Sequence, residues 1–340
     1  MTKEIKTSKQ KKATASDVAK RAGVSKWTVS RAFTPGASIS AEAQKNVLAA
    51  AAGLGYRPNL LARSLTKKQT HIIGVAIDEF KNPHSMKILD VVTKALQARG
   101  YLALMLNITE GENHQAIIQM ADQLQVDGIL FVGNALSSEL YEIIHDMHYI
   151  PLIQVLRNSD SQRHIEVVNI DGYQAGREIA QLLLEQGYKR FGYMKGPDTE
   201  SSYLLRMEGY RDELQAHGYE LDQLLIAGNY DRLRAYKLIK EYLQTTAQTT
   251  RIEALFCEND ILAIGALEAL YECEQQHTIG IVGFDGIDES GSPVWALTTY
   301  RQDTEKLMAE AISRLIDNKA TEDGDWRKGE LIIRRSHQRA

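Results

Sequence analysis

From Ile72 onward, continuous apolar runs of strand length alternate with stretches of helical length. This alternation predicts βα units, and uninterrupted apolar runs are typical of parallel strands covered by helices on both faces. Two series of similar size predict two lobes with a cleft between them, where ligands bind at the carboxyl ends of the strands. The predicted strands are IIGVAI, YLALMLNI, DGILFVG and IPLIQVL in the first series, RFGYMKG, IEALFCEND and IGIVGFDG in the second, and a closing GELIIRRS.

Charge is distributed unevenly along the 340 residues. The net charge is −4, yet residues 1–68 hold 14 Lys and Arg against 3 Asp and Glu, a balance of +11. A small basic segment joined to a large acidic body is typical of a protein that binds a polyanion at one end. A solvated basic tail would explain Lys3 to Lys12, but not the basic residues set among periodic apolar ones beyond them.

The composition argues against several classes of protein and site. No apolar run approaches the roughly 18 residues that a membrane span needs, and no apolar segment of a secretory signal follows the first lysines. Cys257 and Cys273 are expected to be reduced thiols rather than a disulfide or a metal site. His145 and His148 lack a supporting cluster, so no metal is expected. We find no Gly-rich phosphate loop and no Ser–His–Asp order, so neither a cofactor nor an enzyme activity is expected.

Three short helices are predicted in residues 13–58. Two of them are joined by a turn that contains glycine, which is typical of a helix-turn-helix DNA-binding domain. The signals that bound the helices are the N-cap candidates Thr14, Ser25 and Ser40 and the stop residues Gly23 and Gly55.

Two segments flank this predicted domain. Residues 1–12 are polar and basic, and we expect them to be disordered. Residues 59–71 form a predicted hinge and linker, in which NLLARSL could make a two-turn helix too short to be stable alone. A plain solvated linker would not be expected to carry the three leucines of that segment, because their apolar side chains would be exposed to water.

The chain from Thr14 to Ser336 resembles the LacI/GalR family of bacterial transcription regulators. The most specific block is DVAKRAGVSKWTVSRAF, followed at the right distance by LGYRPNLLARSL. Further matching segments are IDGYQAG, RMEGYRDEL, FCENDILAIGAL, IVGFDG, ALTTYRQD and LIIRRS. The resemblance implies an N-terminal all-α helix-turn-helix domain and an α/β core in residues 72–340, two-lobed and periplasmic-binding-protein-like, with doubly wound parallel sheets. We expect lobe 1 to take about 72–170 plus about 299–330, and lobe 2 about 171–298.

The resemblance also implies that the second helix lies in the major groove of DNA. Lys26 and Trp27 occupy the positions that determine operator choice, with Arg31 one turn further on. Lys and Arg can donate to guanine, and Trp offers an apolar face to a thymine methyl. Val29 and Ala32 are expected to face the domain core instead. The full set of predicted DNA contacts is Thr14, Ser25, Lys26, Trp27, Thr28, Ser30, Arg31, Asn59, Arg63 and Leu65.

Three residues of that set belong to the segment NLLARSL, which resembles the family's hinge helix. By this resemblance the helix forms when two copies meet on DNA. Leu65 matches the leucine that enters the minor groove and kinks the duplex, and Asn59 and Arg63 would contact the backbone or the groove floor.

An effector site in the cleft is implied as well. Arg206 is a multi-donor cation that suits a vicinal diol, a carboxylate or a phosphate. Asn259 and Asp285 suit sugar hydroxyls, and Tyr230 offers an aromatic face to a sugar ring. The predicted effector contacts are Asp78, Phe80, Asp171, Ser202, Arg206, Tyr230, Asn259 and Asp285, with His84 near the first two.

Some of these positions have other interpretations. Asp171 could equally cap the helix that follows it, and Asp260 is expected to be structural. Leu156 and Arg157 stand where many family members carry an aspartate, which makes a plain hexose less certain. Glu200 stands where purine-responsive relatives have a basic residue, which argues against a purine.

The resulting hypothesis is a repressor that binds near-palindromic operator DNA as a homodimer, in the bacterial cytoplasm, under the allosteric control of a sugar or sugar derivative. A stand-alone sugar-binding protein of the transport type would share the core. It is disfavoured by the basic N-terminal segment and by the missing signal sequence. An α/β enzyme would need a nucleophile or cofactor loop that we do not find.

Overall fold

The computed structural model divides the chain into two compact units, Met1–Thr70 and His71–Ala340. It describes residues 12–34, 36–58, 69–77, 80, 82–108, 114–133, 138–145, 150–157, 165–197, 205–321 and 324–339. The predictions for the basic tail and for the hinge helix lie outside these described residues. So do those for Asn59, Arg63, Leu65, Asp78, His148, Glu200 and Ser202.

Three helices form the N-terminal unit and confirm the predicted helix-turn-helix domain. Their bounds are Ala15–Ala22 for α1, Lys26–Ala32 for α2 and Ala41–Leu54 for α3. Each helix starts at a predicted cap, because the side chains of Thr14, Ser25 and Ser40 each accept a hydrogen bond from the amide three residues on. One valine from each helix lies in the small apolar core: Val18, Val29 and Val47.

The first sheet of the larger unit has parallel strands in the order β2-β1-β3-β4-β5. Their bounds are Ile72–Ile77, Leu102–Asn107, Gly128–Val132, Leu152–Val155 and Glu166–Val168 for β1 to β5. Helices α4 (Pro83–Ala98), α5 (His114–Gln123) and α6 (Ser138–His145) connect the first four strands in turn. Strand β3 is buried along its whole length, as a parallel strand between two helical layers must be.

The second sheet has the order β11-β10-β9-β8-β6-β7, with only the β10–β11 pair antiparallel. The strands are Phe191–Lys195, Leu221–Ile226, Ala254–Cys257, Gly280–Asp285, Thr298–Gln302 and Gly329–Ile332 for β6 to β11. The helices are α7 (Gly172–Glu185), α8 (Leu205–Ala216), α9 (Arg232–Thr245), α10 (Asp260–Glu272) and α11 (Thr304–Asp317). Short 3₁₀ turns lie at Gln248–Thr250, Asp288–Gly291 and Asp325–Arg327.

The structure corrects the predicted lobe boundary at residues 299–330. Strand β10 pairs with β9, and β11 pairs with β10, so both strands lie in the second sheet rather than in lobe 1. Only helix α11 crosses to the first lobe, where it packs against α4, β3 and β4. Strand β10 has no apolar run that would mark it as a buried strand. Its buried threonines, Thr298 and Thr299, are instead hydrogen-bonded through their hydroxyls to His337 and Asp260.

Strands β5 and β7 are also absent from the predicted set. Strand β5 is only three residues long, and β7 lies at the edge of its sheet, where most of its side chains are exposed or half-buried. Neither strand therefore has the continuous apolar character that the prediction relied on.

Two observations concern the cysteines and the possibility of a membrane span. Cys257 is a buried free thiol at the end of β8, and Cys273 is a half-buried one just after α10. No helix in the described part of the chain is long and apolar enough to cross a membrane.

Candidate effector cleft and DNA-contacting helix

Both lobes line one cavity, whose empty volume of about 580 Å³ includes open solvent. It lies at the carboxyl ends of strands β3, β4, β8, β9 and β10, where α/β sheets bind ligands. The first lobe contributes Asn82, His84, Ser85, Ile88, Val132, Gly133 and Leu156, and the second contributes Arg206, Tyr230, Glu258, Asn259, Asp285 and Gln302.

Arg206 stands in the first turn of α8 and is only 9% exposed. Its Cζ lies 3.7 Å from the ring centroid of Phe284, and its Nη1 donates to the Glu258 carbonyl at 2.8 Å. Tight packing of α7 on α8 holds the backbone here, because a Cβ at Gly176 would lie 2.0 Å from the Arg206 carbonyl oxygen. The guanidinium has five N–H donors, and the contact to the Glu258 carbonyl uses one of them.

Glu258 is buried beside Arg206, immediately after strand β8, although the sequence does not single it out. Its Oε2 accepts a hydrogen bond from the Gly196 amide at 2.7 Å, and its Oε1 accepts one from the Tyr193 hydroxyl at 3.3 Å. Burial raises the pKa of Glu258, against the opposing effects of Arg206 and of hydrogen bonds that include one from Tyr230. The carboxyl group therefore links several polar side chains on one wall of the cavity.

A polar contact crosses the cleft between the lobes. Gln302 Nε2 donates to Asp285 Oδ1 at 2.8 Å, and His84 of the first lobe places its Nε2 3.4 Å from Gln302 Nε2 and 3.8 Å from Asp285 Oδ1. Burial lowers the pKa of His84, so the neutral ring is favoured. Asp285 has a φ of 109°, and such strain in a non-glycine residue is typical of ligand sites.

Two atoms of this contact are buried without a hydrogen-bond partner in the described structure: His84 Nδ1 and Gln302 Oε1. If the neutral His84 ring accepts from Gln302 at Nε2, its proton is on Nδ1, which is then a donor. Gln302 Oε1 is an acceptor. One unsatisfied donor and one unsatisfied acceptor match a hydroxyl group, which both accepts and donates.

The structure brings together only some of the predicted effector residues. Arg206, Tyr230, Asn259 and Asp285 line the cavity, as does His84. Phe80 packs against the apolar core and is not part of the lining.

Asp171 lies outside the lining too, on the exposed surface. Its carboxylate accepts a hydrogen bond from the Gln174 amide at 3.0 Å and caps α7. In this structure Asp171 is therefore a helix cap and not part of the cavity lining. Asn259 also caps a helix, because its Oδ1 accepts from the Leu262 amide at 3.0 Å, and its amide nitrogen remains a donor at the cavity.

Sequence reasoning missed Glu258, Gln302 and Asn82. Glu258 and Gln302 each lie at or next to the carboxyl end of a strand. This signal could have identified Glu258 had β8 been ended at Cys257, whereas β10 was not predicted as a strand. Asn82 caps α4 through a hydrogen bond from the His84 amide. Among the residues that the structure describes, no group of His, Cys, Asp and Glu could hold a metal ion.

Asp260 has the structural role that we expected and is not part of the cavity lining. It is fully buried, and it accepts hydrogen bonds from the Ile287 amide at 2.8 Å and from the Thr299 hydroxyl at 2.5 Å. Burial, together with the nearby Asp285 carboxylate, raises the pKa of Asp260 to about 8. The folded chain therefore holds a proton here at a pH where an unfolded aspartate has lost it.

This raised pKa predicts a pH-dependent stability. Between pH 5 and pH 8 the folded state binds the Asp260 proton and the unfolded state does not, so the free energy of unfolding should fall as pH rises. Asp260→Asn should remove this contribution, which is at most about 1.4 kcal/mol per pH unit. Urea unfolding at several pH values measures it, with the exposed Asp90→Asn as the matched control. An unchanged pH slope in Asp260→Asn would show that this carboxyl group does not titrate in that range.

Helix α2 of the N-terminal unit has two distinct faces. Val29 and Ala32 are buried in the small core, as we expected. Trp27 is 66% exposed, and Arg31 lies against it with Cζ 4.2 Å from the ring centroid. Ser25, Lys26 and Ser30 are exposed, and Thr28 is half-buried.

The hydroxyl groups at the helix starts already have intramolecular partners. Thr14 and Asp17 form a reciprocal capping box at the start of α1. Ser25 Oγ accepts from the Thr28 amide at 3.1 Å and lies 2.9 Å from the Thr28 hydroxyl. Contacts from these groups to DNA remain a prediction.

Comparisons with known proteins agree with this architecture. Residues 70–325 match the family described as periplasmic binding proteins and sugar binding domain of LacI family, and residues 14–59 match bacterial regulatory proteins of the lacI family. The chain belongs to the LacI family. As a LacI-family member it is a DNA-binding transcriptional regulator with a ligand-binding core.

Individual relatives align along most of this LacI-family chain. The HTH-type transcriptional repressor PurR of Pectobacterium atrosepticum is 30% identical over 313 residues, which cover 90% of each chain. The ribose operon repressor of Escherichia coli K12 is 29% identical over 309 residues, which cover 89% of this chain and 92% of that protein. The lac repressor dimer bound to operator and the anti-inducer ONPF shares the fold. Its TM-score is 0.83 at 22% identity, over 96% of this chain and 100% of that one.

Proposed function

We propose that this LacI-family regulator is a repressor that binds near-palindromic operator DNA as a homodimer in the bacterial cytoplasm. A sugar or sugar derivative in the cavity between the lobes controls its affinity for the operator. The observation that carries the effector part is the polar lining of this cavity, above all His84 Nδ1 and Gln302 Oε1, which are buried and have no hydrogen-bond partner among the described residues.

The DNA part of the proposal rests on helix α2. Its outer face carries the exposed Lys26 and Trp27 and the half-buried Arg31, and Lys26 and Arg31 can donate to guanine edges in the major groove. A single helix-turn-helix covers one half-site, so a two-fold protein suits a near-palindrome. The two sequence relatives named above, PurR and the ribose operon repressor, are repressors, which supports repression rather than activation.

The chemistry of the cavity favours a ligand rich in hydroxyl groups. Asp285 accepts hydrogen bonds and Asn259 and Arg206 donate them, while Tyr230 offers an aromatic face. The carboxyl groups of Asp285 and Glu258 place acceptor oxygens in the cavity beside Arg206, which disfavours a strongly anionic ligand. A neutral polyhydroxyl compound satisfies the donors and acceptors without adding charge.

Control of DNA binding follows from the position of the cavity. Because both lobes line it, a ligand that binds one relative arrangement of the lobes more tightly shifts the population toward that arrangement. Residues 59–71 connect the core to the DNA-binding domain. We infer that the lobe arrangement determines whether two hinge segments can pair on the operator, with Leu65 in the minor groove.

A thermal-shift screen tests the effector class. Neutral pentoses, hexoses and disaccharides are compared with sugar phosphates and with purine bases. A true effector at about 100 times its Kd adds roughly 2.7 kcal/mol of stability, which raises the Tm by several degrees. We expect a neutral sugar or sugar derivative to give such a shift. A shift with a purine base, and with no sugar, would contradict the proposed ligand class.

A further inference from the structure

We propose that Trp27 positions Arg31 for contact with a guanine in each operator half-site, an inference that rests on the proposed operator binding. The guanidinium Cζ lies 4.2 Å from the centroid of the indole, and the two residues are four apart on α2. Side chains at this spacing lie on the same face of a helix. The indole and the guanidinium therefore form one unit, on a different face from Val29 and Ala32.

The indole of this unit is not buried in the domain core. Trp27 is 66% exposed, although a large indole usually buries most of its surface. In the described residues Arg31 makes no ion pair or hydrogen bond, and its Nε is buried without a partner. Among the described residues, stacking on the indole is therefore the contact that orients the guanidinium.

The orientation of Arg31 determines which of its atoms can reach DNA. Because Nε is buried, the two terminal nitrogens are the pair left to donate to O6 and N7 of one guanine. A free arginine side chain loses rotamer entropy when it makes this bidentate contact. Trp27 restricts the side chain beforehand, so less entropy is lost on binding. The indole of Trp27 is therefore expected to increase the preference for guanine at the base pair that Arg31 contacts.

The test uses the full-length protein and a pool of DNA duplexes with randomised half-sites, in which the bound sequences are counted. Wild type should enrich a guanine at one position of each half-site, and Arg31→Ala should lower that preference about 5-fold to 150-fold. Trp27→Leu keeps an apolar side chain but removes the aromatic face, and it should lower the same preference about 2-fold to 5-fold. Trp27→Phe keeps an aromatic face and should retain most of the preference.

The double variant Trp27→Leu with Arg31→Ala should lose no more of the guanine preference than Arg31→Ala alone, because the indole acts through the guanidinium. The inference is overturned if Trp27→Leu relaxes a different base pair and leaves the guanine preference intact, since Trp27 would then contact a base by itself. It is also overturned if Arg31→Ala keeps the wild-type preference. A wild-type protein that enriches no sequence contradicts the proposed function itself, which is a distinguishable result.

Discussion

Raising the salt concentration from 50 mM to 200 mM is expected to weaken binding of the full-length protein to its operator by roughly 10³-fold to 10⁵-fold. Residues 1–68 hold 14 Lys and Arg against 3 Asp and Glu, and a dimer brings two such segments to the DNA. A protein that neutralises about 6 to 10 phosphates releases their counterions, so its affinity falls steeply with salt. Fluorescence anisotropy with a labelled duplex measures the slope of log K against log salt.

Effector binding provides the control for this titration. A neutral sugar in the cavity between the lobes releases no counterions, so its Kd should change little over the same range of salt. A flat salt dependence of DNA binding would contradict the assignment of the basic N-terminal segment to phosphate contacts. A steep slope for the effector as well would indicate that salt acts on the fold rather than on the DNA interface.

Arg206→Ala is expected to weaken effector binding by roughly 100-fold or more and so to abolish the response to effector. The substitution removes a buried charged donor from the cavity. A hydrogen bond from a charged donor contributes about 1.5–3 kcal/mol, so the loss of one or two such bonds to the ligand gives this fold-change. Isothermal titration measures the loss with the ligand that raises the Tm of the wild type. Operator binding without ligand should be largely intact, because Arg206 lies in the core and not in the DNA-binding domain.

Arg211→Ala is the matched control for this substitution. Arg211 lies on the same helix and is half-buried, so it is more exposed than Arg206. Its Nε lies 3.6 Å from Asp212 Oδ1. It is not part of the cavity lining, so its removal should leave effector binding unchanged. An Arg206→Ala protein that still responds normally to effector would remove Arg206 from the site.

The parts of the structure that sequence predicted well are those with local signals. The helix-turn-helix domain could be predicted because Thr14, Ser25 and Ser40 cap helices through contacts only three residues away. The buried strands β1, β3 and β9 could be predicted because helices cover both of their faces, which demands continuous apolar runs. These features depend on near neighbours in the chain, and the sequence therefore displays them.

Other features depend on contacts between distant residues and have no such signal. Strand β10 buries threonines whose hydroxyls bond to side chains about 39 residues away, so it lacks an apolar run. Gln302 belongs to the cavity because β10 lies beside β9, a pairing that the predicted lobe boundary did not contain. Asp171 shows the reverse difficulty, because a capping aspartate and a ligand-binding aspartate have the same local sequence pattern.

The central claim is that a ligand in the cavity controls binding to operator DNA. Its most direct test is the operator Kd of the wild-type protein, measured without ligand and at a saturating concentration of the compound that raises its Tm. Coupling between two sites in one protein is typically 1–3 kcal/mol, so the account predicts a change of about 5-fold to 150-fold in this Kd. The same Kd with and without bound ligand would contradict it.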